Sequence, residues 1–322
     1  MESWWVWCGS VVRGADNRFH MFASRWPRTL PFMLGYTLRS EVVHAVADHA
    51  IGPYHFVDIA LPARGPEHWD GRMTHNPTIH TWRGKYYMYY IGSTYSESVP
   101  ADDAKLDTQH DRNLSQRSWE AIRIGVAIAD SLDGPWIRFD RPILDVRLGK
   151  WDHRLVTNPA PCIRDDGTTL MLYRSPGPSH ALLGAAIADH PIGPFRRLSD
   201  RPVFEHQADE RKFVEDPYIW STPQGYSMIA KDLSGKLTGE IGAGVLAHSA
   251  NGVDWHVNDS PKAYSRTVTW SDGNIVTLGC FERPQLLMSS GVPTHLFAAA
   301  ADGPGGFNAA SRTWTLAVPM RH

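Results

Sequence analysis

The sequence has only three cysteines in 322 residues, Cys8, Cys162 and Cys280, and none lies in CxxC spacing. An odd, scattered set argues against a disulfide framework and against a cysteine-built zinc site, so buried free thiols are expected. One-signed charge is equally scarce: the formal net charge is −2, and no long run carries a single sign. The electrostatic footprint of a nucleic-acid or membrane-surface partner is therefore missing, and neither partner is expected. No apolar stretch reaches membrane-spanning length. The first residues, Met1-Glu-Ser-Trp-Trp-Val-Trp7, lack the basic start and apolar middle of a signal peptide. That leaves an intracellular protein or one whose leader has been removed. There is no GxSxG elbow for a serine nucleophile, no glycine-rich phosphate loop and no HExxH pair among the 16 histidines.

What the chain does have is aromatic rings and a repeat. Thirteen Trp, eleven Tyr and eleven Phe suit both β-sheet packing and the stacking of sugar rings. Four segments read alike: Val43–Tyr54, Gly125–Trp136, Gly184–Phe195 and Gly244–Trp255. Each is a strand of small residues, a glycine turn, and an aromatic that opens another strand. A second repeated element is a hairpin pattern whose first strand carries a proline, at Pro77, Pro159, Pro217 and Pro284; the first three lie ahead of the second, third and fourth copies. An N-terminal copy from Trp7 to Ala23 keeps the pattern without the proline. Five units of about four strands each predict an all-β fold, a five-bladed β-propeller spanning residues 1–322 as one domain. The last unit is short of a fourth strand, and Trp4–Trp7 is expected to complete it and close the ring. Between the first two prolines the step is 82 residues, against 58 and 67 for the others, which marks an insertion over roughly 93–122. A rim loop over the funnel is expected there, with Arg112, Asn113, Gln116 and Arg117 reaching across its mouth and restricting substrates to chain ends.

In a propeller the first strand of each blade lines the central channel, and proline is tolerated at a strand's first residue because no ladder donor is needed there. The residues before each proline are therefore the ones expected in the funnel: His75-Asn76, Thr157-Asn158, Glu215-Asp216 and Glu282-Arg283. Glu215, Asp216 and Glu282 are the strongest signal, because glycosidic hydrolysis needs one protonated carboxyl and one ionised group. Crowding raises one carboxyl pKa and so supplies the acid. Arg283 and Lys231 would pull other carboxylates down or bind an acidic sugar, while Arg25 is read as a simple ion-pair partner. Trp69-Asp70 and Trp151-Asp152 each precede the funnel asparagine by the same interval, so Asp70 and Asp152 either brace their loops or touch sugar. Asn76, Asn158 and Trp26 complete the expected substrate-binding set. His75 and His80, five apart on one strand, are expected to face opposite sides. No cofactor is required, and a cation in the axial channel would leave no mark in the sequence.

The repeat, with Gly84-Lys-Tyr-Tyr-Met-Tyr-Tyr90 and the turn Ser131-Leu-Asp-Gly-Pro-Trp136, resembles the five-bladed propeller glycosidases of glycoside hydrolase families 43, 32, 117 and 130, family 43 above all. The resemblance implies a glycosidase, exo-acting, in which Asp216 tunes the pKa of the acid Glu282. It places the base Asp where this chain has Asn76, and asparagine cannot accept that proton. Glu215, Asp70, Asp152 or His75 must then supply the missing function; family 117 enzymes, with a histidine acid, keep His75 in view. The resemblance also implies inversion, which requires carboxyls roughly 6.5–9.5 Å apart rather than about 5–5.5 Å. The vacant base position leaves two alternatives open: a propeller that binds carbohydrate without cleaving it, and a lyase acting on a uronic-acid glycan.

Overall fold

The structure is a computed structural model, and it describes residues 2–177, 180–204, 213–303 and 305–320. Five antiparallel sheets form the blades of a propeller. The first holds β1 (Trp4–Arg13), β2 (Phe19–Pro27), β3 (Glu41–Ala47) and β4 (His55–Leu61), with α1 (Phe32–Arg39) between β2 and β3. The second holds β5 (Met73–Trp82), β6 (Lys85–Ser93), β7 (Arg123–Ala129) and β8 (Ile137–Arg138), with α2 (Gln109–Glu120) between β6 and β7. The third is β9 (Thr157–Ile163), β10 (Thr169–Pro176), β11 (Ala181–Ala188) and β12 (Arg196–Arg197). The fourth is β13 (Val214–Thr222), β14 (Gly225–Asp232), β15 (Gly244–Ser249) and β16 (His256–Tyr264). A hairpin of β17 (Thr267–Thr269) and β18 (Ile275–Thr277) leads into the fifth, β19 (Cys280–Ser289), β20 (Val292–Ala301) and β21 (Thr313–Pro319).

The repeated small-residue segments are the third strands of the first four blades, and their smallness has a local cause. A Cβ on Gly125 would sit 2.4 Å from the ring of Trp69, and one on Gly184 would sit 2.4 Å from Tyr173. These positions are kept bare so that an aromatic can lie flat on the strand. The core then runs between blades as packed apolar layers, for example Tyr87, Tyr89 and Val126 against Met171 and Tyr173.

Ring closure departs from expectation. Trp4–Trp7 do not complete the last blade; they pair with Pro27–Ser24 inside the first, and the fifth blade has three strands. The two ends meet by packing instead. The backbone N–H of Val6 donates to Thr313 Oγ1 at 2.9 Å. Gly9 leaves room for Thr315, whose Oγ1 would lie 2.5 Å from a Cβ there. Trp7 and Cys8 share one buried cluster with Cys280, Ala299 and Ala301. All three cysteines are buried and free. Among the described residues no helix is long and apolar enough to cross a membrane.

Candidate active site

Every inner strand breaks its register at the same place. The shifts fall between Trp7 and Ser10, His75 and Thr78, Glu215 and Tyr218, and Glu282 and Gln285, and opposite Asn158 in the third blade. The extra residue of each bulge takes a left-handed backbone: Cys8 at φ 56°, Asn76 at 51°, Asn158 at 53°, Asp216 at 55° and Arg283 at 55°. Such a conformation costs an L-residue about 1–3 kcal/mol, and bulges of this kind re-aim a side chain next to active sites. Here the re-aimed side chains form a belt around the axis. Cys8 Sγ donates to Asn76 Oδ1 at 2.7 Å, and Asn76 Nδ2 donates to Asn158 Oδ1 at 2.7 Å. Asn158 Nδ2 donates to Asp216 Oδ1, and Arg283 Nη1 lies 3.8 Å from that same oxygen. Burial pushes the Cys8 thiol well up, so it remains a donor.

The same bulge undoes the expected alternation on β5. His75 pairs with Ile91 and His80 with Tyr87, four residues apart on β6, so the two histidines do not face opposite sides. His75 lines the funnel, its Nδ1 2.7 Å from Ser40 Oγ and its ring 4.4 Å from that of Tyr36. Burial, aided by Arg283, holds His75 well below the ordinary histidine range, so it is neutral near pH 7 and does not serve as a protonated acid. His80 lies deeper, on Thr78 and stacked over Tyr218.

Above the belt sits a cavity of about 180 Å³, lined by Trp26, Tyr36, His75, Asn76, Asn158, Arg174, Glu215, Asp216, Glu282 and Arg283, with Phe32, Trp119 and Phe307 on its walls. One oxygen from each of Glu215, Asp216 and Glu282 lies within 4.8 Å of the others. The three carboxyls are thus crowded together on one side of the funnel. Lys231 sits behind them rather than on the wall: its Nζ is 2.7 Å from Glu282 Oε1 and 3.3 Å from Glu215 Oε1. Arg174 Nε is 3.2 Å from Glu215 Oε2. Burial works to raise Glu215, but Lys231 and Arg174 outweigh it and hold the carboxyl below its ordinary value. Burial and the Glu215 charge push Asp216 the other way, up to about 7, with Arg283 opposing in part. Lys231, although desolvated, is held charged by Glu282 and Glu215. The three-carboxylate cluster is the place where the funnel would hold a cation, and the Lys231 ammonium already supplies a positive charge there.

Asp70 and Asp152 are not part of the cavity, which corrects their assignment as sugar-binding groups. Both are fully buried. Asp70 accepts from Arg64 Nε at 2.6 Å and Tyr90 OH at 2.7 Å, with Arg138 Nη1 at 3.3 Å. Asp152 accepts from Arg147 Nε at 3.0 Å and Tyr173 OH at 2.8 Å, with Arg197 Nη2 at 3.4 Å. The preceding tryptophans stack on the same tyrosines, Trp69 on Tyr90 and Trp151 on Tyr173. The repeated interval thus encodes a loop brace. Arg25 pairs with Glu41 at 2.9 Å, as its simple reading has it.

One residue of the insertion lines the cavity, and it is not one of those expected. Its helix α2 packs on α1 around Leu38, Leu30, Tyr95, Leu106 and Leu114, and Ser118 Oγ donates to Thr37 O. Arg112, Asn113, Gln116 and Arg117 bond to Gln109, Glu120 and Glu97; Trp119 is what reaches the cavity wall. Sequence reading missed Arg174, Tyr36, Phe32 and Phe307. For Arg174 a signal existed: it faces Thr157 across β9–β10 as Lys231 faces Glu215 across β13–β14. A wider groove of about 950 Å³ runs along the seam of the first and last blades beside Trp4, Trp270 and Trp314. It holds none of the clustered carboxylates, so the chemistry belongs to the smaller cavity.

No protein-family model and no curated protein matches this sequence. Solved structures do. Zg3597, a family 117 glycoside hydrolase from the marine bacterium Zobellia galactanivorans, matches at TM-score 0.67 and 15% identity, over 98% of this chain and 84% of that one. The chain has the fold of the propeller glycoside hydrolases. BT0996 in its RGII complex matches at TM-score 0.68 and 15% identity, over 100% of this chain and 88% of that one. CoXyl43, a GH43 β-xylosidase/α-arabinofuranosidase from a compost metagenome in complex with xylotriose, matches at 0.61 and 15%, over 100% and 93%.

Proposed function

We propose that the protein is a glycosidase that releases a terminal sugar residue, with Glu215, Asp216 and Glu282 as its working carboxyls. The observation that carries this reading is the cluster itself: three carboxyls within 4.8 Å of one another, in a cavity too small for more than about one sugar ring. A cavity near 180 Å³ falls below the roughly 300–1,000 Å³ of pockets for drug-sized ligands. The carboxyls also differ in the way acid–base work requires, Glu215 held ionised and Asp216 keeping its proton to about 7. The proton on Asp216 lies beside Glu282, and the two are read as the donating pair.

With a carboxylate held ionised beside a carboxyl that keeps its proton, the route proposed is a two-step one. Glu215 attacks the anomeric carbon, its C–O bond forming as the glycosidic C–O bond breaks, while the Asp216–Glu282 pair gives its proton to the leaving oxygen. Water then surrenders a proton to the pair and attacks the same carbon, releasing Glu215 and the sugar with retained configuration. This reading makes Asn76 a scaffold residue and needs no base at that position.

The test is hydrolysis of a panel of aryl glycosides, with the product anomer followed by proton NMR. Hydrolysis with retention is expected, together with losses of about 100-fold or more in Glu282→Gln and Glu215→Gln. Unimpaired turnover by both variants removes the assigned site. An inverted first product removes Glu215 as nucleophile. Tight binding of oligosaccharides with no product by chromatography would leave a carbohydrate-binding propeller.

A further inference from the structure

The cavity holds donors with nothing to donate to. Arg283 is only 2% exposed, yet among the described residues Nε, Nη1 and Nη2 find no acceptor oxygen in hydrogen-bond geometry, the Cys8 thiol being the polar group beside them. Trp26 Nε1, buried on the same wall, lacks one too. Arg174 Nε faces Glu215 Oε2 at 3.2 Å without hydrogen-bond alignment. A buried donor without a partner is destabilising, a charged one most of all, so a guanidinium left bare on a cavity wall points to a missing acceptor.

Charge points the same way. Lys231 and Arg174 are matched by Glu282 and Glu215. Among the described residues Arg283 has only Asp216, 3.8 Å away, and that carboxyl already accepts from Asn158. It also keeps its proton to about 7. Lys231 and Arg174 thus each have a carboxylate at close range, and Arg283 does not.

Resting on the glycosidase reading, we infer that the terminal sugar carries a carboxylate, making the substrate a uronide, and that Arg283 receives this group. A carboxylate matches the planar guanidinium with two parallel hydrogen bonds and supplies the absent charge at once. A neutral sugar's hydroxyls would leave the charge unmatched.

The experiment has two arms. In the first, calorimetry measures binding of D-glucuronate and D-galacturonate to the wild-type protein, with D-glucose and D-galactose as controls. This arm does not depend on catalysis. The uronates are expected to bind about 10- to 100-fold tighter than the neutral sugars, with an affinity that weakens as salt rises. Equal binding of charged and neutral sugars overturns the inference even if glycosidase activity is found. In the second arm, p-nitrophenyl uronides are compared with the matching neutral glycosides in the wild type, Arg283→Met and Arg283→Lys. The preference for uronides is expected to fall toward one in Arg283→Met and partway in Arg283→Lys. A ratio unchanged in both variants sinks the assignment of Arg283. Uronate binding without hydrolysis would uphold the inference while the glycosidase reading fails. An unsaturated product absorbing in the ultraviolet would do the same and replace hydrolysis by elimination.

Discussion

Lys231 is the sharpest place to perturb the cluster. Its ammonium touches Glu282 at 2.7 Å and Glu215 at 3.3 Å, and the side chain is only 12% exposed. Replace it by methionine and two carboxyls with oxygens within 4.8 Å lose their shared counter-charge. At an effective dielectric of about 20, the lost attraction between Lys231 and Glu215 at 3.3 Å is worth at most about 5 kcal/mol. Arg174 still faces Glu215, so the displacement is expected to be smaller, about 2 pKa units. The sign follows from Glu215, which is held below its ordinary value mainly by Lys231 and Arg174 against burial. Loss of the cation raises it. The assay is the pH profile of kcat/KM on the best aryl glycoside, whose acidic limb reports the group that must be ionised. Lys231→Met should move that limb to higher pH, whereas Lys231→Arg should keep it near the wild-type position. Thermal unfolding of both variants checks that the fold persists. A limb that stays put while only the height of the curve falls would mean that Glu215 is not the ionised group, and the mechanism would be wrong.

Two further expectations are independent of Lys231. The folded-state pKa of Asp216 is raised from 3.8 to about 7, chiefly by burial and Glu215. Its contribution to stability is therefore present below about pH 4 and is lost as pH rises through 7. Asp216→Asn should flatten that decline, gaining up to about 4 kcal/mol on the wild type between pH 4 and 8 in denaturant titrations; parallel curves would contradict the shift. Trp119→Ala removes the wall supplied by α2 and should cut kcat/KM on monosaccharide glycosides about 10-fold while admitting longer or branched substrates. Unchanged product profiles on oligosaccharides would show that the insertion does not set chain-end selectivity.

The blade count and the carboxylate cluster were legible because both are local in sequence. A proline in the same phase of four repeats marks the inner strands, and Glu215, Asp216 and Glu282 sit directly before two of those prolines. What escaped was whatever depends on backbone irregularity or on distant packing. The bulges themselves have no common signature: asparagine and aspartate adopt left-handed geometry readily, but Cys8 and Arg283 announce nothing of the kind. The helix α1 escaped for a similar reason, since Pro31 stands at its N-cap with no capping side chain. Asp70 and Asp152 were ambiguous because a funnel carboxylate and a loop brace look alike in one dimension. Only the arginine pairs, drawn from Arg64 and Arg138 or from Arg147 and Arg197, tell them apart.

The belt also gives Asn76 a reason. Donation runs in one direction, from the Cys8 thiol through the amides of Asn76 and Asn158 to Asp216. Each amide accepts on its oxygen from the neighbour behind and donates through its nitrogen to the neighbour ahead. Asp216 stands at the end of this line, its Oδ1 accepting from Asn158 Nδ2. An aspartate at position 76 would have no N–H for Asn158 and would bring a fourth carboxyl to a cavity that already crowds three. The asparagine at the position where the resemblance implies a base is therefore what lets the relay finish on Asp216. It also leaves the ionised role to Glu215, one residue before the bulge, where Lys231 and Arg174 converge. The fold has five equivalent axial positions, and in this chain the charge sits in the fourth and fifth blades, where Arg283 Nη1 lies 3.8 Å from Asp216 Oδ1.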